Sequence, residues 1–275
     1  MNTFREKLRL AQNSRQGWVC IGLDPVLDRL PDGLGKSDRP FLEFCSAIVD
    51  STQDIVSAYK PNLAFWLAQG SSGIDQLQRL VERVPEDIPV ILDGKFGDVG
   101  HTAEMYALAA YEQIGADAVT ANPYLGVDAV SPFLKSDQHG VFLLARTSNP
   151  SAPDLQNFDS GGVHLYEHAA KLAAGWDAKY PGTCGMVVGA TYPDELMLLR
   201  SVAADLPFLI PGIGAQGGDL RAAVQHGPTA DNIGPVINSS RGIIYASSGS
   251  DFADAAREAA LTLRNRINKC REELG

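Results

Sequence analysis

Short β-branched or apolar runs alternate with stretches of helical spacing along the whole chain, and this alternation constrains the fold more than any other feature. The runs occupy 18–23, 55–60, 88–93, 116–121, 140–145, 185–189, 207–211 and 236–239. Helical spacing occupies 41–52, 73–84, 102–114, 164–179, 193–204 and 218–226. Residues 252–274, rich in Ala, Glu, Arg and Leu, read as a terminal helix. Strand and helix in alternation imply a parallel sheet covered by helices. Eight such units within 275 residues predict a (β/α)8 barrel, one domain spanning 1–275. A doubly wound open sheet is the competitor. The strand ends favour the barrel. Polar, chemically capable residues follow most runs: Asp24, Lys60, Asn62, Asp93, Lys95, Asn122, Arg146, Ser148, Thr191, Ser240 and Arg241. A barrel gathers all eight ends at one mouth, whereas an open sheet gathers only those near its switch point. The longest loop, 148–162, holds Pro150, Pro153 and two glycines and reads as a lid or binding loop.

Charge and composition exclude several function classes. Lys and Arg number 23 against 33 Asp and Glu, a net charge of −10. Such a surface repels nucleic acid and anionic membranes, and no block of basic residues offsets it. No apolar run is long enough to cross a bilayer. The first ten residues mix Arg5, Glu6, Lys7 and Arg9 with apolar positions, a first helix rather than a signal peptide. Cys20, Cys45, Cys184 and Cys270 show no metal or disulfide spacing and read as reduced thiols of a cytoplasmic protein. His164 and His168 share a helix face, but no acid completes a metal set with them.

The richest segment is Asp93-Gly-Lys95-Phe-Gly-Asp98, leading through His101 to Thr102. Strand periodicity turns Asp93 and Lys95 to one face, with Asp98 just beyond. Two carboxylates 4 Å apart repel by about 4 kcal/mol at an effective dielectric of 20. A lysine between them relieves this and keeps its proton. Taken alone, the segment also fits a helix cap at Asp98 and a structural ion pair. Asp24 alone fits a turn, and Lys60 alone fits a surface lysine at a strand end.

The segment resembles the active-site signature of the orotidine 5′-phosphate decarboxylases. Further matches span nearly the whole chain: Gly22-Leu-Asp24-Pro, Tyr59-Lys60-Pro-Asn62, Asp117 to Tyr124, Arg146-Thr-Ser148-Asn-Pro150, Gly189-Ala-Thr191, Pro211 to Gly218, and Asn238-Ser-Ser240-Arg241-Gly242. The long loops resemble the family's second, longer bacterial type. Many relatives of that type carry a basic residue where this chain has Phe96, a position outside the charged cluster.

The resemblance implies a (β/α)8 barrel converting orotidine 5′-phosphate to uridine 5′-phosphate and CO2 without cofactor or metal. It maps a charged network onto Lys60, Asp93, Lys95 and Asp98. It places Asp24 on the ribose hydroxyls, Ser148 on the pyrimidine, and Gln216 between pyrimidine and phosphate. It also implies a homodimer in which Asp98 and Thr102 reach across the interface. Gly212, Gly214, Gly217 and Gly218 follow the seventh run, and Ser240-Arg241 follows the eighth, where barrels commonly bind phosphate. Arg241 can pair bidentately with such a group. No flavin, pyridoxal or metal motif offers an electron sink, so fixed positive charge has to stabilise a carbanion, and Lys95 is the candidate. The alternatives are a magnesium-dependent aldolase or decarboxylase on the same barrel, and a catalytically silent nucleotide-binding barrel. Lys60 stands where the magnesium reading needs an acid.

Overall fold

A computed structural model of the chain describes residues 2–213, 218–231 and 233–274. Among them lie eight strands: β1 (Val19–Gly22), β2 (Ala58–Lys60), β3 (Ile91–Phe96), β4 (Ala118–Ala121), β5 (Gly140–Arg146), β6 (Thr183–Val188), β7 (Phe208–Pro211) and β8 (Val236–Ser239). All pairings are parallel, in the order β2-β1-β8-β7-β6-β5-β4-β3. The two ends of that order meet through the isolated bridges Tyr59↔Val90 and Asn62↔Asp93, which close the barrel. The open-sheet alternative is thereby excluded.

The helices are α1 (Phe4–Ser14), α2 (Pro40–Thr52), α3 (Leu63–Leu67), α4 (Gly70–Arg83), α5 (Gly100–Leu108), α6 (Pro153–Gln156), α7 (Leu165–Asp177), α8 (Pro193–Val202), α9 (Leu220–His226), α10 (Arg241–Ile244) and α11 (Phe252–Leu274). The helical spacing at 102–114 divides into α5 and a π-helical turn over Ala109–Gln113. No helix among the described residues is long and apolar enough to cross a membrane.

Strand periodicity sorts the core into two layers. Val19, Ile21, Tyr59, Leu92, Val119, Leu143, Met186 and Ile237 pack in the layer beneath the helices. Cys20, Ala58, Ile91, Ala118, Phe142, Val187, Leu209 and Val236 form a second cluster inside the barrel. Phe4 and Leu8 of α1 belong to that cluster and plug its floor, the Phe4 ring meeting Phe142 edge-on at 6.0 Å. A capping box between Thr3 and Glu6 starts α1.

Two residues along each strand, side chains return to the same face. The positions above the apolar plug are therefore Gly22, Lys60, Asp93, Thr120 and Asn238 on their respective strands. One step of the pleat turns a greasy interior into a polar one, and two of the residues singled out in the sequence, Lys60 and Asp93, stand at that step.

Candidate active site

Asp93 is the hub. Its Oδ2 accepts from Lys60 Nζ at 2.9 Å and from Asn62 Nδ2 at 3.3 Å. Its Oδ1 accepts from Lys95 Nζ at 2.7 Å and from Thr120 Oγ1 at 2.8 Å. Asp24 Oδ1 accepts from the Asn62 backbone N–H at 3.1 Å, which ties the end of β1 to the turn after β2. The sequence reading assigned no role to Asn62 or Thr120. Thr120 lies two residues beyond Ala118, whose inward direction the barrel interior reveals.

Burial would raise the Asp93 carboxyl, but the ammoniums of Lys60 and Lys95 outweigh it and hold the group well below the usual carboxylate range. Lys60 is enclosed. Burial works against its charge, yet Asp24 and Asp93 overcome this and lift its affinity for the proton above that of an ordinary lysine. Beneath them, burial pushes the Cys20 thiol up to about 12, so it stays neutral. Lys95 differs from Lys60: its side chain is 50% exposed, against 6%. One ammonium is structural ballast for the carboxylate, and the other opens onto the barrel mouth.

Plain pleating does not deliver that geometry. Leu92 pairs with Val119 and Phe96 with Ala121, so β3 carries four residue steps against two on β4. The surplus forms an irregularity in the strand, and Lys95 adopts φ +46°. Its N–H donates to Thr120 Oγ1 at 3.0 Å, which holds the turn. Asp93 and Lys95 thus meet through an irregular backbone, where the sequence alone predicts simple alternation. A left-handed residue other than glycine costs about 1–2 kcal/mol. Lys95→Gly should therefore unfold in urea with a stability about 1 kcal/mol above that of Lys95→Ala. An alanine variant of equal or greater stability would reject backbone strain at this position. Phe96 is buried against the rings of Tyr106 (5.3 Å) and Phe133 (5.6 Å), apart from the charged cluster.

Asp98 is partly buried, and its Oδ1 accepts from the Val99 N–H at 2.8 Å; among the described residues it joins neither lysine in this chain. Thr102 lies in the first turn of α5, with Val99, Met105, Tyr106 and Leu108 exposed around it. Ser148 follows β5 and packs so close to Gly189 that a Cβ there would sit 3.1 Å from the serine Cβ. Gln216, Gly214 and Gly217 lie outside the described residues.

Ser240 and Arg241 line a cavity of about 220 Å³ with Asp24, Arg29, Gly212 and Asn238, at the mouth ends of β1, β7 and β8. Ser240 Oγ is buried without a hydrogen-bond partner among the described residues. Gly22 permits this packing, since a Cβ there would lie 2.6 Å from Ser240 Cβ and 3.1 Å from Asp24 Oδ2. The cavity lining includes two arginines, Arg29 and Arg241, whose guanidiniums suit an anion, beside the carboxylate of Asp24.

The family model described as "Orotidine 5'-phosphate decarboxylase / HUMPS family" matches residues 18–258, the barrel from β1 into α11. The chain belongs to this family. An orotidine 5′-phosphate decarboxylase of Azoarcus sp. (strain BH72) is 50% identical over 273 residues, covering 98% of this chain and 99% of the relative. One of Dechloromonas aromatica (strain RCB) is 48% identical over 270 residues, covering 97% and 98%. Among solved structures, the OMP decarboxylase of Leishmania donovani superposes with a TM-score of 0.85 at 36% identity, covering 98% of this chain and 99% of that one. The likeness therefore extends over both the charged cluster and the anion cavity.

Proposed function

We propose that this chain removes CO2 from orotidine 5′-phosphate to give uridine 5′-phosphate, the final step of UMP biosynthesis, as its relatives' names describe. The observation that carries the reading is the Lys60–Asp93–Lys95 cluster at the mouth, with an anion-suited cavity at the ends of β1, β7 and β8. The phosphate occupies that cavity on Arg241 and Ser240, with Gln216 joining it to the pyrimidine. Asp24 takes the ribose hydroxyls, and Ser148 takes the pyrimidine ring.

The reaction breaks the bond between C6 and the carboxylate carbon. Its electron pair stays on C6 as CO2 leaves. The half-exposed Lys95 ammonium faces that charge as it develops, then donates a proton to C6, and solvent reprotonates the amine. Asp93 fixes the ammonium and is itself held ionised by Lys60. Because charge on the protein does the work of an electron sink, no cofactor or metal enters the scheme.

Asp98 and Thr102 complete the site from a second copy of the chain. The exposed apolar residues beside them supply the surface for a homodimer. The protein acts in the cytoplasm on a small molecule, without nucleic acid or membrane. A magnesium-dependent relative is the second reading, and the buried Lys60 ammonium 2.9 Å from Asp93 disfavours a divalent ion there.

Ultraviolet turnover of orotidine 5′-phosphate by chelator-treated protein tests the reading. Full activity is the expected result, and loss of activity restored by magnesium would reverse it. Sedimentation of the same sample should give twice the chain mass; a monomer active at assay concentration would remove the shared site.

A further inference from the structure

Arg146 ends β5, and its guanidinium is buried, with the residue 2% exposed. A buried guanidinium ordinarily sits on a carboxylate. Here the ion-pair partner, Glu195 Oε1, stands 3.7 Å away, beyond a hydrogen bond. The guanidinium carbon lies instead 3.8 Å from the centroid of the Tyr192 ring and 5.7 Å from that of Tyr166. Its Nε has no partner among the described residues. Such an arrangement contributes little as an ion pair, and what it does hold is local.

Arg146 Nη1 donates to Gln156 Oε1 at 3.3 Å. The same oxygen accepts from the Thr147 N–H at 2.9 Å, and Gln156 Nε2 donates to Thr147 Oγ1 at 2.7 Å. Arg146 and the Thr147 N–H can only donate, so they force the amide oxygen toward themselves and the amide nitrogen toward Thr147 Oγ1. Thr147 Oγ1 then passes its own hydrogen to Asn149 Oδ1 at 2.6 Å. The neighbours on both sides of Ser148 are thus held from one amide, whose orientation a buried guanidinium sets. That amide belongs to α6, inside the long segment after β5, while Tyr192 and Glu195 belong to the segment after β6.

We propose that Arg146 and Gln156 are positioning residues, which hold the Thr147–Ser148–Asn149 turn so that Ser148 meets the pyrimidine ring. This rests on the decarboxylase reading above. A turn fixed before substrate arrives avoids the ordering cost on binding, and a displacement of about 1 Å near a reacting group can cost roughly 10²-fold in rate.

A double-mutant cycle on orotidine 5′-phosphate turnover tests the proposal, with Ser148→Ala, Gln156→Ala and the two combined. Gln156→Ala should lower kcat/KM by about tenfold, the equivalent of one buried hydrogen-bonding group left unsatisfied. The combined variant should be no slower than Ser148→Ala alone, within about twofold, because Gln156 acts through that hydroxyl. A merely structural role predicts that the two losses multiply, and that result would overturn the proposal, as would an unimpaired Gln156→Ala. Arg146→Met should match Gln156→Ala in kcat/KM, but the cycle does not depend on its folding. An inactive wild-type enzyme would overturn both this inference and the decarboxylase reading. Normal wild-type turnover with multiplying losses overturns the inference alone.

Discussion

Lys95→Ala should lower kcat by at least about 10²–10⁴-fold, the range for loss of a general acid, with a further loss from the missing fixed charge. Two roles vanish together. The proton that would reach C6 has no donor, and the developing negative charge faces a gap that water fills with poorly oriented dipoles. Substrate affinity should change less, because the phosphate cavity lies at the ends of β1, β7 and β8 and retains Arg241 and Ser240. Lys60 cannot substitute. It is enclosed, and its ammonium is committed to Asp93 at 2.9 Å. Absorbance assays at saturating substrate give the number directly, and turnover close to wild type would remove Lys95 from the mechanism.

Asp93→Asn should cost about 10²–10³-fold in kcat/KM and also change how stability depends on pH. The carboxylate accepts from four donors, and an amide of the same shape has one acceptor oxygen and turns a donor toward the rest. Both ammoniums lose their anchor, Lys60 the more severely because it is buried. In the wild type, the native carboxyl titrates well below the unfolded value of about 3.9. Its contribution to stability is therefore complete above that value and is lost as pH falls toward the depressed native one. Between about pH 5 and pH 2 the wild-type unfolding free energy should drop more steeply than that of Asp93→Asn. Parallel slopes across that window would show that Asp93 is not held ionised by folding.

The sequence made the architecture legible for a simple reason. Most strand runs are bounded by turn residues and followed by helical spacing, and both periodicities are local properties; the run at 116–121 is the exception, followed by short 3-10 turns in place of an α-helix. All eight runs overlap strands of the barrel. Polarity at the strand ends carried further information, since Lys60 and Asp93 do converge with Lys95. What escaped was non-local or irregular. The four-against-two register of β3 and β4 leaves no mark in composition, and only pairing reveals it. Asn62 and Thr120 look like ordinary polar residues until the ring of strands brings them to Asp93. The short helix α3 is too brief for periodicity to register, although the Asn62 side chain caps it by accepting from the Ala64 N–H at 3.1 Å. Asp98 stands apart from the two lysines within one chain, and a rule based on spacing cannot say which chain's cluster a residue serves.

The ring of strands is joined unevenly. Among the described residues, every neighbouring pair shares a ladder except β2 and β3, whose backbones pair only through the isolated bridges Tyr59↔Val90 and Asn62↔Asp93. The Lys60–Asp93 contact spans that same joint. The pair that fixes the Lys95 ammonium also bridges the barrel's thinnest seam. A substitution at either position therefore strikes at two things together, the anchoring of the Lys95 ammonium and the closure of the cylinder.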